Sequence, residues 1–274
     1  MTLRVCLAGA TGWAGAALAR GIAQAADLEL VAGVSRRHAG RRLGEVLGIP
    51  ELDAPLSASA ADALAGDCDV FVEYTQPEAA TGNVTAALQR GAHVVIGTSG
   101  LADPDFAVID ALARRRERGV LAVGNFSLVN LLLQKCAELA ARHLPQWEIL
   151  DYADAGKLDA PSGTARELAH RLSQVRLPRL IVPLDQVQGP GESRGATLGG
   201  TQVHSIRLPS YVISAEVVFG LLDQRLTLRY DAGSSPEAYV EGALLAIRKV
   251  GGFVGLRRGL DSVLDLLSAP PASR

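Results

Sequence analysis

The chain has 274 residues, 48% of them hydrophobic and 20% charged, with 27 Lys and Arg against 29 Asp and Glu for a net charge of −2. That length predicts one large or two modest domains, the apolar content rules out a disordered chain, and the balanced charge argues against a protein that grips nucleic acid through bulk positive charge. Cys6, Cys68 and Cys136 are widely spaced and odd in number, which fits neither a metal knuckle nor a disulfide framework. No apolar run reaches the length of a membrane span, and Met1-Thr2-Leu3-Arg4 leads straight into a short apolar stretch without a signal-peptide pattern. The expectation is a cytoplasmic protein with a small-molecule substrate and neither a nucleic-acid nor a membrane partner.

The first 125 residues alternate short β-branched runs with helical patterns. Strands are predicted at Leu3–Ala8, Leu28–Val34, Val70–Glu73, His93–Ile96 and Val120–Val123, with a helix over Ala14–Ala25 between the first two. Short buried strands separated by helices predict a Rossmann-like, doubly wound parallel sheet. After Asn125 the rhythm changes: a helix over Leu128–His143, a strand at Glu148–Tyr152, a second helix over Thr164–Gln174, then strands at Thr201–Leu208, Ala215–Phe219 and Arg225–Tyr230 whose alternation predicts an antiparallel sheet. This reads as an α+β unit. The glycine-rich stretch Asp185–Gly200 predicts a long mobile loop, and Pro236–Leu267 predicts a return to helix packed on the first domain. The domains are therefore drawn as 1–126 with 235–274, and 127–234.

Gly9-Ala10-Thr11-Gly12-Trp13-Ala14-Gly15 follows the first strand and opens a helix. Glycines there let the backbone turn tightly, approach a pyrophosphate and offer helix amides to its charge. Their G-x-x-G-x-x-G spacing is a weak signal alone, since a packed strand-to-helix turn needs glycines too; its place in the strand–helix rhythm favours a dinucleotide. The second strand ends in Val34-Ser35-Arg36-Arg37, where an NAD site usually carries an acid for the ribose hydroxyl. Two guanidiniums beside a hydroxyl suit a 2′-phosphate, so the cofactor is expected to be NADPH, with NADH possible; the bland alternative is a solvated basic loop continued by Arg41 and Arg42. Gly97-Thr98-Ser99-Gly100 and Val123-Gly124-Asn125-Phe126 end two further strands at the edge where ligands sit in such sheets.

In the second unit, Lys157-Leu158-Asp159-Ala160-Pro161-Ser162-Gly163-Thr164-Ala165 combines a cation with an N-cap serine and the amides that start a helix. Those amides make an anion site suited to a carboxylate, with a capped surface helix as the plain alternative. His38, His93, His143 and His170 read as structural or exposed, and His204 as a satisfied sheet histidine.

These residues resemble the 4-hydroxy-tetrahydrodipicolinate reductase (dihydrodipicolinate reductase) family: the glycine turn, Gly97–Gly100, Asn125-Phe126-Ser127, the nearly diagnostic Lys157–Ala165 string, His204–Arg207 and the closing Gly255–Leu266. The resemblance implies a Rossmann domain completed by the C-terminal segment, a central domain whose sheet builds a homo-tetramer, and hydride transfer to a cyclic unsaturated imine dicarboxylate in lysine and diaminopimelate biosynthesis. It implies cofactor contacts from Gly9–Ala14, Ser35, Arg36, Gly97–Ser99 and Val123–Phe126, and substrate carboxylate contacts from Ser162, Gly163 and Thr164. The family's two histidines ahead of the lysine are replaced by Ala153 and Asp154, and its arginine in the glycine turn by Trp13. Lys157 and Asp154 are thus the expected catalytic side chains. Two alternatives stand beside this reading: a reductase of a different, less anionic cyclic imine or enamine, and a non-catalytic NADPH-binding protein, against which the retained Lys157 and anion loop argue.

Overall fold

A computed structural model describes residues 2–264. The described residues divide into two compact units, 2–128 with 236–264 and 129–235.

The first unit is built on β1 (Leu3–Ala8), α1 (Trp13–Gln24), β2 (Leu28–Val34), α2 (Leu43–Leu47), β3 (Leu56–Ser57), α3 (Ala60–Ala63), β4 (Val70–Glu73), α4 (Pro77–Gln89), β5 (His93–Ile96), α5 (Asp103–Arg115) and β6 (Gly119–Ala122). The strands are almost wholly apolar because both faces are covered; Val70, Phe71, Val72, Val94, Val95 and Ile96 are all buried. The sheet is parallel throughout, in the order β12-β6-β5-β4-β1-β2-β3, where β12 is Gly255–Arg258. The chain leaves β1 toward β2 and β3, then returns to lay β4 on the other side of β1. That reversal opens a crevice beyond the carboxyl ends of β1 and β4.

The second unit holds α6 (Leu128–His143), β7 (Trp147–Ala153), α7 (Gly163–Val175), β8 (Ala196–Leu198), β9 (Thr201–Arg207), β10 (Ile213–Leu221) and β11 (Gln224–Ala232), with sheet order β11-β10-β7-β9-β8. α6 and α7 cover one face: Ile149, Val203, Val217 and Phe219 pack with Leu133, Ala137, Leu168 and Leu172. Strand alternation puts Glu148, Tyr152, His204, Glu216 and Arg229 on the other face.

Three expectations need correction, and one strand was missed. The second sheet is mixed, since β7 and β9 run parallel; the crossover through α7 and the segment after it is long enough to bring the chain back in the same direction. β3 escaped prediction because it is only two residues long. The stretch Asp185–Gly200 carries a 3₁₀ turn at Gly191–Arg194 and the strand β8 instead of remaining structureless. The return after Pro236 is helical as a 3₁₀ turn at Pro236–Tyr239 and α8 (Val240–Lys249), with further 3₁₀ turns at Val250–Gly252 and Leu260–Ser262; Gly251 and Gly252 stop the helix, and β12 pairs with β6 between those two turns. Residues 265–267 of that expected helix lie outside the described residues.

Candidate active site

β1 delivers the chain to Gly9, which has φ +78°, and a Cβ on it would collide with the Tyr74 carbonyl. One on Gly15 would collide with the Gly9 carbonyl, so α1 starts directly on the turn. Gly12 is the N-cap of α1, offers no side-chain acceptor, and is followed by no acid in the first turn. The leading amides of α1 are therefore free to face an anion, which fits the diphosphate of a dinucleotide. Thr11 Oγ1 and Ser35 Oγ lie 2.9 Å apart, fastening the glycine turn to the end of β2. Beyond Ser35, Arg36 and Arg37 are exposed on a 3₁₀ turn. Neither pairs with an acid among the described residues, whereas Arg41 reaches Glu45 at 3.7 Å and Arg42 reaches Asp53 at 3.5 Å.

Past the carboxyl ends of β4, β5 and β6 lies a cavity of about 310 Å³. Trp13, Ala14, Gly97, Thr98, Ser99, Gly124, Asn125 and Phe126 all line it, so eight of the residues singled out in the sequence converge there. Val123 is buried just behind, while Gly9, Ala10, Thr11, Gly12, Ser35, Arg36 and Arg37 form the adjoining turn and strand end. Its size suits one nucleoside-sized end of a dinucleotide. Three wall residues were not foreseen: Tyr74, Thr75 and Tyr239. The first two follow β4 as Gly97 follows β5, so position alone was a signal for them. Tyr239 carries no local signal; it arrives with the returning C-terminal segment and meets Trp13 edge-on at 6.0 Å between ring centroids.

In the second unit, β7 ends at Ala153, which is fully buried. Asp154 turns back on its own loop, its Oδ1 accepting from the Gly156 amide at 2.8 Å. Lys157 Nζ sits 2.7 Å from Asp159 Oδ1, and the Lys157 ammonium holds the Asp159 carboxyl below its usual range. Ser162 caps α7 by accepting from the Ala165 amide at 3.2 Å. That takes Ala165 out of the expected anion site and leaves the amides of Gly163 and Thr164 without intrahelical partners. Space is open above Gly163, where a Cβ would meet nothing within 4 Å.

The loop is clamped from below. Buried Asp151 Oδ2 accepts from the Ser162 amide (2.8 Å), Ser205 Oγ (3.1 Å) and Arg207 Nη2 (2.7 Å), and Arg207 Nη2 also reaches the Asp159 carbonyl at 2.8 Å. Burial pushes the Asp151 carboxyl up, but the bonds from Ser162 and Arg207 outweigh it and hold the group low. Tyr152 points to the opposite face, where its hydroxyl donates to Glu216 at 3.2 Å and burial pushes the phenol up. Two of the histidines serve structure as expected: His93 Nδ1 accepts from the Gly119 amide at 2.9 Å, and His204 meets Glu148 at 2.7 Å.

A parallel sheet with a phosphate-ready first turn, in one chain with a cation beside a capped helix start, defines the class of oxidoreductases that use a nicotinamide dinucleotide. Family models for the N-terminus and the C-terminus of dihydrodipicolinate reductase match residues 3–126 and 129–264, and the chain belongs to that family. The 4-hydroxy-tetrahydrodipicolinate reductase of Moorella thermoacetica is 37% identical over 265 residues, covering 96% of this chain and 98% of its own. That of Lactococcus lactis subsp. lactis is 34% identical over 264 residues, covering 96% and 98%. A dipicolinate-bound dihydrodipicolinate reductase from Paenisporosarcina sp. TG-14 superposes with a TM-score of 0.85 at 28% identity, over 96% of this chain and 100% of its own. Among the described residues no helix is long and apolar enough to cross a membrane.

Proposed function

We propose that the protein converts 4-hydroxy-tetrahydrodipicolinate to tetrahydrodipicolinate with NADPH, a step of lysine and diaminopimelate biosynthesis in which water is lost and a hydride and a proton are gained. The observation that carries this reading is the Lys157–Thr164 loop, which holds an ammonium oriented by Asp159 and, at the start of α7, two amides that the Ser162 cap leaves to a carboxylate.

When bound, the nicotinamide supplies the hydride. The α1 amides hold its diphosphate, Arg36 and Arg37 take the 2′-phosphate, and Tyr74, Gly97–Ser99 and Val123–Phe126 shape the nicotinamide end. NADPH is favoured by two guanidiniums that meet no acid among the described residues, at a position without an acid of its own. Gly163 and Thr164 bind one substrate carboxylate, with Ser162 fixing their helix. Lys157 adds positive charge and donates the proton. Asp154 serves its own turn, so the missing histidines leave Lys157 as the principal donor. A second reading, reduction of a less anionic cyclic imine, draws only on the exposed Asp154 carboxylate.

The uncovered face of the second sheet is our candidate for assembly into a homo-tetramer: a cavity of about 770 Å³ lies there beneath Arg179–Val182, and Ile181 and Val182 are exposed. The functional reading is tested by expressing the chain in a bacterium made auxotrophic for diaminopimelate by loss of its own reductase. Restored growth is the expected result; no growth despite soluble expression contradicts it.

A further inference from the structure

Glu73, the last residue of β4, is fully buried directly beneath the wall residues Tyr74 and Thr75 of the 310 Å³ cavity. Its Oε1 accepts from the Thr75 amide at 2.7 Å and from the Thr75 hydroxyl, and Thr98 Oγ1 lies 3.3 Å away; its Oε2 accepts from Asn83 Nδ2 at 2.9 Å. The Thr75 amide N–H donates to Oε1 and Asn83 Nδ2 donates to Oε2, so each oxygen acts as an acceptor, as a carboxylate requires. Among the described residues no Lys, Arg or His pairs with it. Burying a charge without a counter-ion is costly, and a group whose sole task was to brace two threonines would not need to carry one.

We propose that Glu73 sets the hydride-donor strength of the bound cofactor. A nicotinamide ring is neutral when reduced and positively charged when oxidised, so a fixed negative charge under its pocket favours the oxidised form and makes the reduced form a stronger donor. This rests on the cofactor reading above. Glu73 touches neither substrate nor cofactor in this account; it acts through the low-dielectric floor of the site, where a single charge is weakly screened.

The test is a pair of binding titrations on the full chain, with NADPH followed by its fluorescence and NADP⁺ by competition. Glu73→Gln keeps the shape and removes the charge, and is expected to raise the ratio Kd(NADP⁺)/Kd(NADPH) by about tenfold or more. Asn83→Lys, which sets an ammonium against Oε2, is expected to move the ratio the same way and stands in if Glu73→Gln does not fold. Asn83→Ala loosens the network with the charge kept, and is expected to lower the thermal midpoint while leaving the ratio within about twofold of wild type. An unmoved ratio in folded Glu73→Gln or Asn83→Lys overturns the proposal, as does an equal shift in Asn83→Ala. If the wild-type chain binds neither dinucleotide, the functional reading fails with it; if both bind and the ratio holds, only this inference fails.

Discussion

Lys157 and Asp159 form an ion pair of 2.7 Å inside a loop whose position is fixed by the main chain of the same aspartate: its carbonyl accepts from Arg207 while its carboxylate holds the lysine. The ammonium is thereby oriented before any substrate arrives, which lowers the ordering cost of using it. Lys157→Ala is expected to lower kcat by about 10²-fold or more, with the Kd for NADPH unchanged. Steady-state kinetics with parallel cofactor titration checks this; turnover kept within a few-fold would make the lysine structural.

Arg36 is exposed, meets no acid among the described residues and lies one residue beyond the Thr11–Ser35 bridge. Arg36→Ala should cost about 1.5–3 kcal/mol of NADPH binding and leave NADH nearly untouched, because only the 2′-phosphate makes a charge-assisted bond there. Equal losses for both cofactors would refute the role.

Much of this was legible in the sequence because it is local. The strand-to-helix glycine turn, the buried apolar strands of the parallel sheet and the Ser162 cap each follow from neighbouring residues. What was not legible depends on distant partners: Tyr239 reaches the cavity only through the return of the chain, β7 and β9 become parallel only through the α7 crossover, and β12 is a strand only because β6 has a free edge. The Asp151–Arg207 clamp was hidden for the same reason, since 56 residues separate its members.

Asp151 is held below its ordinary range, so its contribution is fully present above the unfolded carboxylate value of about 3.9 and is lost as pH falls through the lower folded value. Asp151→Asn should therefore destabilise the protein at pH 7, by about 3 kcal/mol for breaking a buried pair with Arg207, yet the gap to wild type should narrow below about pH 4. Denaturant melts across pH 3–7 measure both. A gap that widens on acidification would contradict the assignment.

Restoring the family histidines is not symmetrical. Ala153 is fully buried, so Ala153→His overpacks the core at a cost of about 1–3 kcal/mol, whereas exposed Asp154 accepts an imidazole freely. Asp154→His alone is expected to raise kcat/KM on the dicarboxylate several-fold by removing a repelling charge and adding a donor. A fall on the dicarboxylate, with loss of activity on another cyclic imine, would favour the second substrate reading.

The central claim is met most directly by following NADPH absorbance as the purified chain is given enzymatically generated 4-hydroxy-tetrahydrodipicolinate, alongside cyclic imines bearing one carboxylate or none. The account predicts oxidation of NADPH with a kcat/KM highest for the dicarboxylate. Inertness on the dicarboxylate together with turnover of another imine would contradict it.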